Sequence, residues 1–168
     1  RKMLDEEYPE AAIISEWSRP HTSIGAGFHS DFYLDHDNNG YRYLFREKDK
    51  ETGECKAIFS KNGKGDITKF LDDYLDELKA IKGKGYISFI TCNHDTPRMT
   101  KMFSPLEAKL AYSFVFLMPG VPFLYYGDEI GMKFMEGLQS KEGGFSRTGT
   151  RTPMQWDDSA NHGFSTAS

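Results

Sequence analysis

Short apolar stretches of this chain run into acids. Ala11-Ala12-Ile13-Ile14-Ser15 meets Glu16, with Trp17 beside it, and Tyr86 to Cys92 delivers Asn93-His94-Asp95. A carboxyl at a buried strand end beside an indole loses hydration, which raises its pKa and suits it to general acid work. An ionised Asp behind an apolar strand can face developing positive charge, and a neighbouring His can donate a hydrogen bond to a substrate hydroxyl. Both have plainer alternatives. Glu16 can be an edge residue in a solvated loop, and Asn93 and Asp95 can cap the turn that Thr96-Pro97 closes. Gly127-Asp128-Glu129 is another acidic strand end.

Other chemistries find weaker support. Asp35-His36-Asp37-Asn38-Asn39-Gly40 begins like a calcium loop, but the twelfth position, which needs a bidentate Glu, is Arg46, so a turn-rich loop is expected. Gly25-Ala26-Gly27 lacks the third glycine of a dinucleotide fingerprint, that place being Ser30, and no phosphate-cradling G-x-x-x-x-G-K-[ST] occurs. Lys61, Lys64, Lys82 and Lys84 scatter near glycines as a solvated loop surface would. Cys55 and Cys92 form no zinc spacing and no disulfide framework. No metal, redox cofactor or nucleotide cofactor is implied.

The elements that must position these residues follow from periodicity. Residues 11–15 predict a buried strand, and Phe28 to Leu34 a second one. Residues 35–65 are polar and Gly-punctuated, a loop-rich excursion with one possible strand at Tyr41 to Phe45. Ile67, Phe70, Leu71, Tyr74, Leu75, Leu78 and Ile81 share a helical face, with Asp66 as N-cap and Gly83 as stop. Tyr86 to Cys92 predicts a strand. Ser104-Pro105-Leu106-Glu107 is a capping box opening a helix that ends before Pro119-Gly120. Val121 to Tyr126 predicts another buried strand, and residues 133–168 are loop-rich. Alternating strands and helices favour parallel βα units, whose chemistry collects at the C-terminal strand ends.

With 168 residues the chain is the size of one domain, and its 21 basic against 25 acidic side chains leave a net charge of −4. That balance argues against a face built to hold nucleic acid. No apolar run is long enough to span a bilayer. The N-terminus, Arg1-Lys2-Met3-Leu4-Asp5-Glu6-Glu7, has no apolar signal core, which makes a cytoplasmic location the expectation. Both termini are expected to be cuts through a longer chain.

Phe89-Ile90-Thr91-Cys92-Asn93-His94-Asp95-Thr96-Pro97-Arg98 resembles the segment around the third catalytic carboxylate of the α-amylase superfamily, glycoside hydrolase family 13. Gly120 to Met132 resembles that family's eighth barrel strand and its loop. Arg151-Thr152-Pro153-Met154-Gln155-Trp156-Asp157 with Gly163-Phe164-Ser165 resembles the oligosaccharide-active branch: α-glucosidases, oligo-1,6-glucosidases and trehalose synthases. Ile13 to Trp17 resembles the fifth strand, with Ser15 where the family commonly has Gly. The resemblance implies a partial (β/α)8 barrel, strands five to eight, and a retaining mechanism. In it Glu16 is the acid/base and Asp95 the acid stabilising an oxocarbenium-like transition state. His94, Asn93 and Arg151 are implied as substrate contacts. Arg98 is a further candidate at the substrate, able to pair with an acid nearby.

The family's nucleophile, an Asp in a G-F-R-x-D pattern, has no match between Arg1 and Glu16. A full barrel takes about 250 residues, so residues 1–168 are expected to be the C-terminal half of one, inactive alone. Its open edges and exposed inner face predict self-association. The implied ligand is a short α-linked glucose oligosaccharide, with no nucleic acid and no membrane. Open alternatives are a transglycosylase or isomerase such as trehalose synthase, and a non-catalytic carbohydrate-binding relative. A nucleotide-binding α/β domain ranks last, for want of a Gly-rich loop.

Overall fold

The computed structural model describes residues 1–36, 39–64, 66–140 and 147–167. Helix α1 (Lys2–Glu7) precedes strand β1 (Ile14–Ser15), helix α2 (Pro20–Gly25) and strand β2 (Ser30–Tyr33). Helices α3 (Tyr41–Phe45) and α4 (Ile67–Ile81) lead to strand β3 (Tyr86–Ile90), and helix α5 (Pro105–Leu117) leads to strand β4 (Val121–Phe123). The sheet order is β1-β2-β3-β4, every pair is parallel, and a helix lies in every crossover. Sequential parallel order is how consecutive units of a (β/α) barrel are laid down.

The two long helices form where local signals agree. Asp66 accepts the Thr68 N–H at 2.9 Å to open α4, which buries Phe70, Tyr74 and Ile81. Gly83 follows its end at a φ of +75°, a backbone state that costs glycine least. At α5 the capping box closes reciprocally, Glu107 N–H to the Ser104 hydroxyl and Ser104 N–H to the Glu107 carboxylate at 2.7 Å. That carboxylate also accepts Lys61 N–H at 2.6 Å, tying the excursion to α5.

Side-chain alternation gives the sheet two faces. Tyr33, Ile87 and Phe89 meet the helices in the core, where Tyr33 and Tyr74 both pack their rings against Phe89. Ser30 and Ser88 hydrogen-bond to each other on the opposite face, where Phe32 meets Phe123 edge-to-face at 4.9 Å.

The excursion is less peripheral than its composition suggests. Tyr41 to Phe45 is a helix, not a strand: Tyr41, Leu44 and Phe45 fall at helical spacing and are all buried, and among the described residues no strand lies beside them to pair with. Gly40, just before α3, is pressed against α4, where a Cβ would lie 2.6 Å from the Lys69 carbonyl oxygen and the Phe70 Cα. Its N–H donates to Asp73. Of the calcium-like pattern, Asp37 and Asn38 lie outside the described residues, as do Gly143 and Gly144 of the loop-rich end.

The outer strands are shorter than expected. Residues 11–15 yield only Ile14–Ser15, and Val121 to Tyr126 only Val121–Phe123. Each has one strand neighbour, and Pro122 brings no N–H. Nor is β4 buried in this chain, since Val121 is 36% exposed. Among the described residues no helix is long and apolar enough to cross a membrane.

Ser104→Ala is expected to lower the unfolding free energy by about 1 kcal/mol in urea titration at pH 7. Hydrogen bonding from Ser104, and then from the Lys61 N–H, holds the Glu107 carboxyl below its ordinary 4.5. Its contribution is therefore present above that value and lost as pH falls through the lower folded one. A Glu107→Gln deficit should thus be seen at pH 7 and vanish in strong acid.

Candidate active site

The C-terminal ends of β1 and β3 place Glu16 and Asn93-His94-Asp95 at one end of the sheet. A direct hydrogen bond joins them: the Asn93 side-chain amide donates to the Glu16 carboxylate at 3.1 Å. Both catalytic candidates thus sit on neighbouring turns linked by one side chain. Asn93 also shapes its own turn, its Oδ1 accepting the Asp95 and Thr96 N–H groups, each at 2.9 Å. The turn-capping alternative therefore holds for Asn93, and the turn it caps presents Asp95 outward.

Asp95 faces three cationic or titratable neighbours. The Arg151 guanidinium reaches its Oδ1 at 2.9 Å, Arg147 contacts the same oxygen, and His94 Nε2 lies 3.4 Å from Oδ2. Arg151 also donates to the His94 carbonyl at 2.9 Å, bracing the turn. Partial burial, the largest single influence, favours the neutral acid, but hydrogen bonds from Arg151 and Arg147 outweigh it and hold the carboxyl below 3.8. An acid so held is a fixed negative charge at neutral pH, suited to stabilising positive charge rather than to donating a proton.

The desolvation expected of Glu16 is not found. Glu16 is exposed and Trp17 is 62% exposed, at the end of a strand that has β2 as its one neighbour among the described residues. What is buried is the support beneath. Asp31, fully buried on β2, accepts the Trp17 N–H at 3.0 Å and the Arg19 N–H at 2.7 Å. The Ser15 hydroxyl donates to the same carboxylate, which gives Ser15 a role that glycine has no atoms to fill. Asp31 is thus the anchor of the turn that carries Glu16.

Arg98 departs from its expected place at the substrate. It is fully buried and donates to the Tyr126 carbonyl at 2.7 Å, to Asp128 Oδ1 at 3.2 Å and to the Thr150 carbonyl at 3.3 Å. Its guanidinium lies 4.9 Å from the ring centroids of both Tyr125 and Tyr126. With both amino groups donating inward, Arg98 supports the turn from below. Arg46 does the same from the excursion, donating to the carbonyls of Thr91 at 2.8 Å and Pro97 at 3.3 Å, one at each end of the turn.

Sequence reasoning missed Asp31, Arg46 and Arg147. An Asp directly before the apolar Phe32-Tyr33-Leu34 of an expected strand is the available signal for Asp31. Arg46 and Arg147 lie in stretches without periodicity, so nothing local marks them.

Comparison with known proteins identifies the family. A family model described as "Alpha amylase, catalytic domain" matches residues 1–168. The chain is 32% identical over 126 residues to an α-glucosidase of Apis mellifera, covering 67% of this chain and 22% of that one. It is 32% identical over 124 residues to an oligo-1,6-glucosidase of Parageobacillus thermoglucosidasius, covering 51% of this chain and 21% of that one. Among solved structures it resembles the isomaltulose synthase SmuA from Protaminobacter rubrum, with a TM-score of 0.63 at 18% identity, covering 98% of this chain and 35% of that one. The chain belongs to the α-amylase catalytic-domain family of glycoside hydrolases, and it spans about a fifth of the length of the two curated relatives.

The site also predicts thiol reactivity. Cys92 is buried with its Sγ 3.4 Å from the Asp128 carboxylate, and burial, reinforced by that charge, pushes its pKa up to about 12. Cys55 is half-buried. A thiol reagent at pH 8 should modify Cys55 alone in the folded chain and both cysteines in denaturant.

Proposed function

We propose that this chain supplies the acid/base and the transition-state-stabilising acid of a retaining enzyme acting on short α-linked glucose oligosaccharides. Glu16 protonates the leaving glycosidic oxygen, then takes a proton from the water that releases the sugar. The nucleophile, an Asp on the strand before β1, belongs to chain outside these residues, and β1 to β4 correspond to barrel strands five to eight. Asp95 offsets the positive charge that develops on the sugar ring, and His94, Asn93 and Arg151 contact its hydroxyls. The observation that carries this reading is the Asn93 amide bound to Glu16, which sets the acid/base beside the turn bearing Asp95. Hydrolysis, rather than transfer to a second sugar, is favoured by the α-glucosidase and oligo-1,6-glucosidase relatives.

The test uses the full-length protein with maltose, isomaltose and sucrose, as wild type, Glu16→Gln and Asp95→Asn. Glucose release by wild type and a fall in kcat of about a thousandfold or more in each variant are expected. Longer oligosaccharides or a rearranged disaccharide as main product would make the enzyme a transferase. An active Glu16→Gln variant would remove the acid/base assignment. The isolated 168-residue chain should show no turnover and should self-associate through the open edges of β1 and β4. Activity that depends on Asp95, or a clean monomer in sedimentation, would contradict the respective expectation.

A further inference from the structure

Asp128 stands in the turn after β4, acidic and buried, yet the proposed chemistry gives it no task. Its surroundings assign one. Its Oδ2 accepts the Thr91 hydroxyl at 3.1 Å, and the Cys92 thiol lies 3.4 Å from both oxygens. These two residues immediately precede the turn that begins at Asn93. Its Oδ1 accepts from Arg98 at 3.2 Å, and Arg98 immediately follows that turn's Pro97. One carboxylate therefore holds the strand entering the turn and the residue leaving it.

The same network reaches the arginines that hold Asp95. Arg98 donates its second amino group to the carbonyl of Thr150, a fully buried residue next to Arg151. The Thr150 hydroxyl donates back to the Thr96 carbonyl at 3.4 Å. Arg151 then closes on Asp95 and on the His94 carbonyl. Thr150 closes a short 3-10 helix, Thr148–Thr150, and the Arg98 contact is the tie that links this stretch to the turn through a buried charge. We propose that Asp128, acting through Arg98 and Thr150, is a positioning residue that sets the separation of Arg151 from Asp95.

The physical basis is the fork of the guanidinium. Arg98 can satisfy Asp128, the Tyr126 carbonyl and the Thr150 carbonyl together only in one orientation, and the buried charge of Asp128 fixes that orientation. Asp128→Asn keeps the shape, loses the charge and turns an amide N–H toward groups that are themselves donors. Arg98 then loses the charge that fixes its orientation, and its hold on the Thr150 carbonyl, and with it the placing of Arg151, weakens. A carboxylate that merely fills the core would leave the Arg151–Asp95 contact intact once the variant has folded.

The experiment has a structural arm and a kinetic arm, both on the full-length protein. The structural arm is a crystal structure of Asp128→Asn. Opening of the Arg151–Asp95 contact from 2.9 Å to beyond hydrogen-bond reach is expected, and a folded variant that keeps the contact overturns the proposal. If Asp128→Asn does not fold, Arg98→Lys serves in its place, since Lys lacks the two separate nitrogens with which Arg98 meets Asp128 and the Thr150 carbonyl; the same outcome decides. The kinetic arm rests on the reading of Asp95 as a substrate-facing acid. There Asp128→Asn should lower kcat about 10- to 100-fold with KM little changed. Added to Arg151→Ala it should cost little more, and Asp128→Glu should recover part of the loss. Fully additive losses overturn the proposal. Asp95→Asn tests the glycosidase reading separately, and the crystallographic outcome does not depend on it.

Discussion

A carboxylate taken out of water must be given hydrogen-bond donors, and in this chain that demand organises the functional end of the sheet. Asp31 and Asp128 are both buried, and each gathers its donors from the end of another strand and the turn that follows it. Asp31 draws in the backbone after β1, and so fixes where Glu16 leaves the sheet. Asp128 draws in the end of β3 and Arg98, and so fixes where Asp95 leaves it. Leaving either group without donors would cost more than the turns gain by moving, so the turns are held.

The exposed acids above them have the opposite character. Asp95 is 39% exposed and is met by cations, while Glu16 is exposed and is met by an amide. The result is a division of labour between a buried layer that sets geometry and an exposed layer that is free to meet a ligand. Asn93 joins the two, since its carbonyl oxygen shapes the turn and its amino group reaches across to Glu16. A parallel sheet makes this possible by putting the ends of β1 and β3 on the same side.

Much of the fold was legible in the sequence, and the physical reasons are specific. Helix α4 has an unbroken apolar face between an Asp cap and a stop glycine, and α5 has a capping box with proline at its first position, so local signals alone bound both. The segment at Tyr41 misled because five residues are too few for periodicity to separate helix from strand, and its burial against α4 is a tertiary matter. The edge strands came out short because pairing depends on neighbours. At the site, Glu16 and Asp95 stood out as acids at strand ends, but Arg98 did not, since a charged residue near a polar turn gives no sign that it points inward. Arg147 approaches Asp95 from a stretch that no periodic pattern places.

On the proposed reading, Glu16 and Asp95 act on one sugar from adjoining turns. A crystal structure of the full-length Glu16→Gln variant with maltose bound tests it most directly. The expected result is a glycosidic oxygen within hydrogen-bond reach of the residue 16 side chain and the same glucosyl unit contacting the Asp95 carboxylate. A maltose seated so that no single glucosyl unit meets both residues would contradict it.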